Sequence, residues 1–235
     1  ESEEIVRGNS TISEDEMLSL RPLHWLIWYG WNHGFLKPVL KYASNEHGIN
    51  PLDVMLKIVE TCHESHPRIA KVFANFCNDA QSEWFESREE LEEFYSKPEN
   101  WNMLFTEGFS KAEFKYNSLL ILEESIYEDL LALLHTILKK IEPEIDVEFL
   151  LLFMQEKSLH PDSIFNDSID MGKSFSISTD LAKYVLDANE VEFKNQDKDK
   201  EIVLQLIKPI ADQKMIKSQL SKYNYSENKL YAVEK

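Results

Sequence analysis

Through most of the first 157 positions apolar residues recur three and four apart, and the breaks between runs carry helix start and stop signals. A helical stretch is expected from near Ser13 or Asp15 to about Asn32. Pro22 lies inside it and, lacking an N–H donor, should mark a kink or a fresh start. His33-Gly34 and His47-Gly48 both read as stops, a His near the helix C-terminus followed by Gly at the position that favours positive φ. The run Leu36 to Glu46 lies between them. Asn50-Pro51 reads as an N-cap followed by Pro at the first helical position, opening a helix to about Cys62. Ser65-His66-Pro67 restarts the chain into a helix reaching about Ala80.

Ser87 and Glu90 form a capping-box pattern before a short helix to about Tyr95, and Pro98 opens another, closed by Gly108. Ser110 and Glu113 repeat the pattern before the longest expected helix, Lys111 to about Ile141. Leu119 to Leu122 is apolar around the whole circumference, which places that helix centrally. Pro143 ends it, and Asp146 is expected to cap a further helix to about Lys157. After His160 the periodicity weakens. Phe175–Ile177, Ile202–Ile207 and Lys229–Val233 read as strands, with short helices over Asp180–Leu186 and Asp212–Lys222.

The fold class expected is therefore mainly α: a multi-helix bundle-like body with a small α+β C-terminal part. Residues 1–12 are expected to be a disordered or frayed acidic N-terminus, 13–157 the helical body, and 158–235 a smaller α+β tail packed on the body. At 235 residues and 43% hydrophobic content the chain can build a core, and the scarcity of glycine, six in all, favours helices joined by short loops.

Charge narrows the partners. With 25 Lys+Arg against 42 Asp+Glu the net charge is −17, which argues against nucleic acid and against anionic membrane surfaces. The most apolar short run, Leu23 to Tyr29, is far short of the ~20 residues a membrane-spanning helix needs. The opening Glu1-Ser2-Glu3-Glu4 has neither the basic start nor the apolar run of a secretory signal, and Glu1 is read as a cut point. A cytoplasmic location is expected. The charge is also uneven: between Asp79 and Asp129 there are 14 acidic and 4 basic residues, net −10. Between Lys194 and Lys222 there are 7 basic and 4 acidic, net +3. The plainer reading of the acidic stretch is a solvated helix surface; the functional one is a face that docks a basic partner, this tail included.

Candidate chemistry is sparse. Glu60, Cys62, His63 and His66 form the densest set of metal-ligating types, and Glu60-x-x-His63 places a carboxylate and an imidazole on one helix face. A helical di-iron site needs a second such pair, and none is present. Glu60, His63 and His66 are thus weak metal candidates, for a hydrolase or oxidase, against the plainer reading of a helix end. Two cysteines exclude a disulfide scaffold or a four-thiolate site. Gly-x-Ser-x-Gly, Gly-x-Gly-x-x-Gly and Walker-type patterns are absent, so no catalytic residue is assigned.

The most unusual stretch is Leu23 to Phe35, which holds three of the five tryptophans. His24, Trp28 and Trp31 fall near one helical face, Trp25 and Tyr29 near another. The plainer reading is a core helix whose Trp N–H groups find acceptors. The functional reading is an aromatic wall facing a ligand or a partner domain, with His24, Trp25, Trp28, Trp31, Asn32 and His33 as candidate contacts. A second aromatic group, from Trp84 to Tyr116, fits helix packing.

Three stretches together carry a family resemblance: Leu20-Arg21-Pro22-Leu23-His24-Trp25-Leu26 leading to Trp31-Asn32-His33-Gly34-Phe35; His47-Gly48-Ile49-Asn50-Pro51-Leu52-Asp53; and Glu107-Gly108-Phe109-Ser110-Lys111-Ala112-Glu113-Phe114-Lys115-Tyr116. Over roughly residues 13–140 the chain resembles the C-terminal region of bacterial cobalamin-binding radical S-adenosylmethionine proteins, itself a domain of unknown function. The resemblance implies a non-catalytic accessory domain that packs on the barrel or shapes substrate access. Its partners would be the barrel and cobalamin-binding domains of the same polypeptide. The parent enzyme would use a [4Fe-4S] cluster, S-adenosylmethionine and cobalamin, none of them bound by this chain. The alternative is a stand-alone acidic helical protein-interaction module.

Overall fold

A computed structural model describes residues 9–103, 112–157, 171–185, 201–207 and 231–234. Those residues are mainly helical. Helix α1 spans Glu14–Leu26 and passes directly into a π-helical turn, Ile27–Asn32. Helices α2 (Lys37–His47), α3 (Pro51–Ser65) and α4 (Pro67–Ser82) follow. Next come two short ones, α5 (Arg88–Ser96) and α6 (Pro98–Met103). Helices α7 (Ala112–Leu122), α8 (Glu124–Ile141) and α9 (Glu148–Lys157) complete the run before the strands.

The local signals act as their chemistry dictates. Ser13 Oγ accepts from Glu16 N while the Glu16 carboxylate accepts from Ser13 N, a reciprocal capping box that satisfies two free donors at the start of α1. Gly34 and Gly48 both have positive φ, 83° and 65°, where a side chain would be strained. Asn50 Oδ1 accepts from Leu52 N at 3.0 Å, with Pro51 at the first position of α3. Ser87 caps α5 through Glu90 N. The Glu90 carboxylate turns instead to Glu86 N, so the box expected there is only half closed.

Three expectations need correction. The chain does not restart at Pro22; α1 runs through it, and the α pattern changes at Ile27 instead. The single long helix expected from Lys111 to Ile141 is two helices, parted at Glu123 with φ −105° and ψ 83°. That break lets α7 pack on α4 while α8 packs on both α3 and α4. Asp146 lies two residues before α9 rather than at its cap position. Ahead of α1, Asn9 Oδ1 accepts from Thr11 N and Ile12 N in a local turn. Residues 1–8, the Gly108 stop and the Ser110 cap lie outside the described residues.

The core is built where α1, α2, α3, α4, α7, α8 and α9 meet. Inward residues recur at helical spacing: Val54, Ile58 and Cys62 on α3; Ile69, Phe73, Phe76 and Ala80 on α4; Leu130, Leu134, Ile137 and Leu138 on α8. His66 supplies no side-chain cap to α4. Asp129 from α8 takes that role, accepting from Ile69 N at 3.2 Å.

Residues Met171–Ser178, Glu201–Ile207 and Tyr231–Glu234 run as strands β1, β2 and β3, paired antiparallel in that order, with Phe175 opposite Leu204 and Leu204 opposite Val233. A tenth helix, α10 (Thr179–Val185), packs on α2. Its Lys183 Nζ lies 2.9 Å from Glu46 Oε1, and the Tyr184 hydroxyl donates to the same oxygen. The helix expected over Asp212–Lys222 falls outside the described residues. Within them no helix is long and apolar enough to cross a membrane.

Candidate docking face on the aromatic segment

The segment from Arg21 to Lys37 has two sides, and the helix geometry separates them. Trp25 is 2% exposed and stacks on Phe76 with ring centroids 5.0 Å apart, while Phe73 and Tyr116 meet its edges. Its Nε1–H donates to Asn117 Oδ1 at 2.8 Å, so the one polar atom of the ring is satisfied inside the protein. Tyr29 is fully buried and lies parallel to Phe35 at 4.3 Å. The Tyr127 hydroxyl donates to Phe35 O at 2.9 Å. Burial pushes both tyrosine hydroxyls above their ordinary pKa.

The π-helical turn is what brings Phe35 back over Tyr29. His33 N donates to Trp28 O, five residues back, at 3.0 Å, and Leu36 N donates to Gly30 O at 2.8 Å. The turn tightens onto Gly30, where a Cβ would stand 2.9 Å from Leu36 Cδ1. Any side chain at position 30 must displace the fully buried Leu36.

The other side faces outward. His24 and Asn32 are exposed, and Trp28, Trp31 and His33 are half-buried. The His33 ring meets Trp28 edge-on, with centroids 4.1 Å apart. Lys37 Nζ lies 5.9 Å from the Trp31 ring centroid. An open groove of about 260 Å³ runs along this side, lined by Arg21, His24, Trp25, Trp28 and Glu113. Arg21 Nη2 and Glu113 Oε1 pair at 2.8 Å in its floor. The Arg21 guanidinium also lies 5.8 Å from the ring centroids of Phe76 and Trp84, which anchors it from below. A fixed cation–anion pair beside indole faces is a surface for binding and orienting.

Of the six candidate contacts, five lie on this outward side. Trp25 does not: it touches the groove but belongs to the core, because its indole is enclosed by three rings and Asn117. Arg21 and Glu113 were missed as members of the face. Arg21 sits one turn before Trp25 and could have been found by extending the outward stripe; Glu113 comes from another helix and carries no local signal.

The structure does not bring Glu60, His63 and His66 together into a closed cluster. Glu60 and His63 are exposed, and His66 Nδ1 is within 2.8 Å of Ser65 Oγ in the turn between α3 and α4. Among the described residues no group of three or more His, Cys, Asp or Glu side chains converges to hold a metal ion. The three-thiolate loop of an iron–sulfur cluster does not fit this chain either: Cys62 and Cys77 are its only cysteines, and burial raises both thiols above their ordinary pKa.

No protein-family model, curated protein or solved structure matches the chain. The outward face of α1 and the π-helical turn therefore has to be read on its own chemistry.

Proposed function

We propose that this chain is a non-catalytic docking module whose contact surface is the outward side of residues 21–37. The observation that carries the reading is the division of one aromatic segment into two roles. Trp25 and Tyr29 are committed to the core, yet Trp28 and Trp31 remain half-buried beside exposed His24 and Asn32. Indole rings left partly uncovered next to a preorganised ion pair are the composition of an interface centre.

The motif resemblance supplies the partner. The module is an accessory C-terminal domain of a cobalamin-dependent radical S-adenosylmethionine enzyme, docked on the barrel or on the cobalamin-binding domain of the same polypeptide in a bacterial cytoplasm. In this reading residues 158–235 form a smaller α+β part packed on the 13–157 body, and the contact of Lys183 and Tyr184 with Glu46 supports that packing. The cluster, S-adenosylmethionine and cobalamin belong to the other domains.

Reading the coding sequence upstream of Glu1 tests the partner. An in-frame barrel with a Cys-x-x-x-Cys-x-x-Cys loop is the expected result, and a start codon directly before Glu1 overturns it. The surface is tested by pairing the upstream domains with Trp28→Ala/Trp31→Ala, which should lose binding by about tenfold or more with the fold intact. Unchanged binding removes this face from consideration.

A second reading, a stand-alone acidic interaction module, rests on the net charge of −10 between Asp79 and Asp129.

A further inference from the structure

The docking face differs in charge from the rest of the chain. Residues 17–45 hold no Asp or Glu over 29 positions, although the chain has 42 acidic residues in 235. The next longest acid-free runs, 65–78 and 213–226, have 14 positions each. Arg21, Lys37 and Lys41 stand within 17–45, so this stretch carries +3 inside a chain of −17.

Helix α2 turns that charge outward. Val39, Leu40 and Ala43 are buried, and Lys37 and Lys41, one turn apart, lie on the opposite face. Lys41 and the next residue of the row, Asn45, are exposed. Lys37 Nζ reaches back to the half-buried Trp31, 5.9 Å from its ring centroid, so the indole and the two ammonium groups form one strip. Neither lysine has an ion pair among the described residues. At the far end of the face Glu113 arrives from α7, and Arg21 already pairs with it. An indole beside unpaired cations is complementary to carboxylates, not to a basic surface.

We infer that the partner segment seated on this face is acidic and amphipathic. An apolar side chain of the segment covers Trp31, and Asp or Glu residues one turn apart pair with Lys37 and Lys41. This partner chemistry rests on the docking reading above and deepens it by fixing the sign of the partner. Over most of the chain an acidic segment meets carboxylates and is repelled; along residues 17–45 it meets none from that stretch.

The test uses the full chain and two synthetic amphipathic peptides with the same Leu/Phe stripe, one with Glu and the other with Gln on its polar face. Binding is measured at about 0.15 M salt, where repulsion from the net charge of −17 is screened beyond about 8 Å. The Glu peptide should bind about three to ten times tighter than the Gln peptide, the reverse of what the net charge dictates. Chemical-shift mapping should place both peptides at the Trp31 indole N–H and along α2. Lys37→Glu with Lys41→Glu should invert the preference. Lys57→Glu with Lys71→Glu, an equal charge change at exposed sites elsewhere, should alter Glu-peptide binding less than about twofold. Trp31→Ala should weaken both peptides, and circular dichroism confirms the fold of each variant. Equal affinities, tighter Gln-peptide binding, or equal loss in both charge-reversed proteins overturns the acidic partner. So does a shift map away from Trp31 and α2, or failure of both peptides to bind. The docking reading itself falls only if the upstream domains bind the Trp28→Ala/Trp31→Ala chain unchanged.

Discussion

Arg21 on α1 pairs with Glu113 on α7 across 92 positions of sequence, and four residues later Trp25 donates to Asn117 across the same 92. An unchanged offset over one helical turn means that α1 and α7 run in the same direction with their turns in register. The pair then serves two purposes. It joins the first helix to the seventh, and it lays a preorganised charge pair along the floor of the groove beside Trp28.

Removing that pair should show coupling rather than simple addition. In a double-mutant cycle of Arg21→Met and Glu113→Gln, an interaction energy of about 1 kcal/mol is expected, since each side chain is about three-quarters shielded. Urea unfolding of the four proteins measures it. Additive losses would show that the two residues act separately.

Trp25 should be the costliest position of the aromatic segment. Trp25→Ala empties a site between Phe73, Phe76 and Tyr116 and should cost about 3–5 kcal/mol. Asn117→Ala leaves the indole N–H without its acceptor and should cost about 1–3 kcal/mol. Chemical denaturation of both, beside Trp28→Ala on the outward side, gives the order expected: Trp25, Asn117, Trp28.

The glycines at 30 and 48 should fail for different reasons. Gly30→Ala drives a Cβ against Leu36, an overpacking cost of about 1–3 kcal/mol that a Leu36→Val background should reduce. Gly48→Ala meets no atom within 4 Å but must hold φ 65°, costing about 1–2 kcal/mol with no dependence on any neighbour. Thermal unfolding in the two backgrounds separates a steric cause from a conformational one.

Acid should loosen two ties at once. The Tyr184 and Lys183 hydrogen bonds hold the Glu46 carboxyl below its ordinary value, and Lys115 followed by Tyr116 does the same for Asp79. A carboxylate whose folded pKa is depressed contributes stability that is present above its unfolded value, 4.5 for Glu46 and 3.8 for Asp79. That contribution falls away as pH drops through the lower folded value. Denaturation midpoints measured from pH 6 to pH 2 should therefore decline below about pH 4.5, and Glu46→Gln with Asp79→Asn should flatten the decline. An equal slope in the double variant would place the acid sensitivity elsewhere.

Much of the helical body can be read from short-range pattern alone. The stops at Gly34 and Gly48, the Asn50-Pro51 start and the separation of Trp25 and Tyr29 from Trp28 and Trp31 all depend on residues within a turn or two of one another. The Ser13-x-x-Glu16 box has the same spacing as Ser87-x-x-Glu90, although only a helix start near Ser13 or Asp15 is expected there. Such signals act on backbone donors, φ values and helix faces that exist before any packing, so the local sequence suffices to state them.

Other features depend on tertiary packing. No Gly or Pro announces the break at Glu123; it occurs where one straight helix could not serve the separate α7 and α8 contacts with α3 and α4. Pro22 stays inside α1, where it is buried with Leu23 and Trp25 in the packed interface, so packing offsets the roughly 3 kcal/mol that an interior proline costs a helix. Glu113 pairs with Arg21, and Asp129 caps α4 from α8 rather than serving its own helix. In each case the partner lies 60 or 92 residues away. Which polar side chain meets which unpaired group at that separation is set by how the helices pack, because burial makes every unmet donor or charge expensive and only the assembled core determines which groups are buried together.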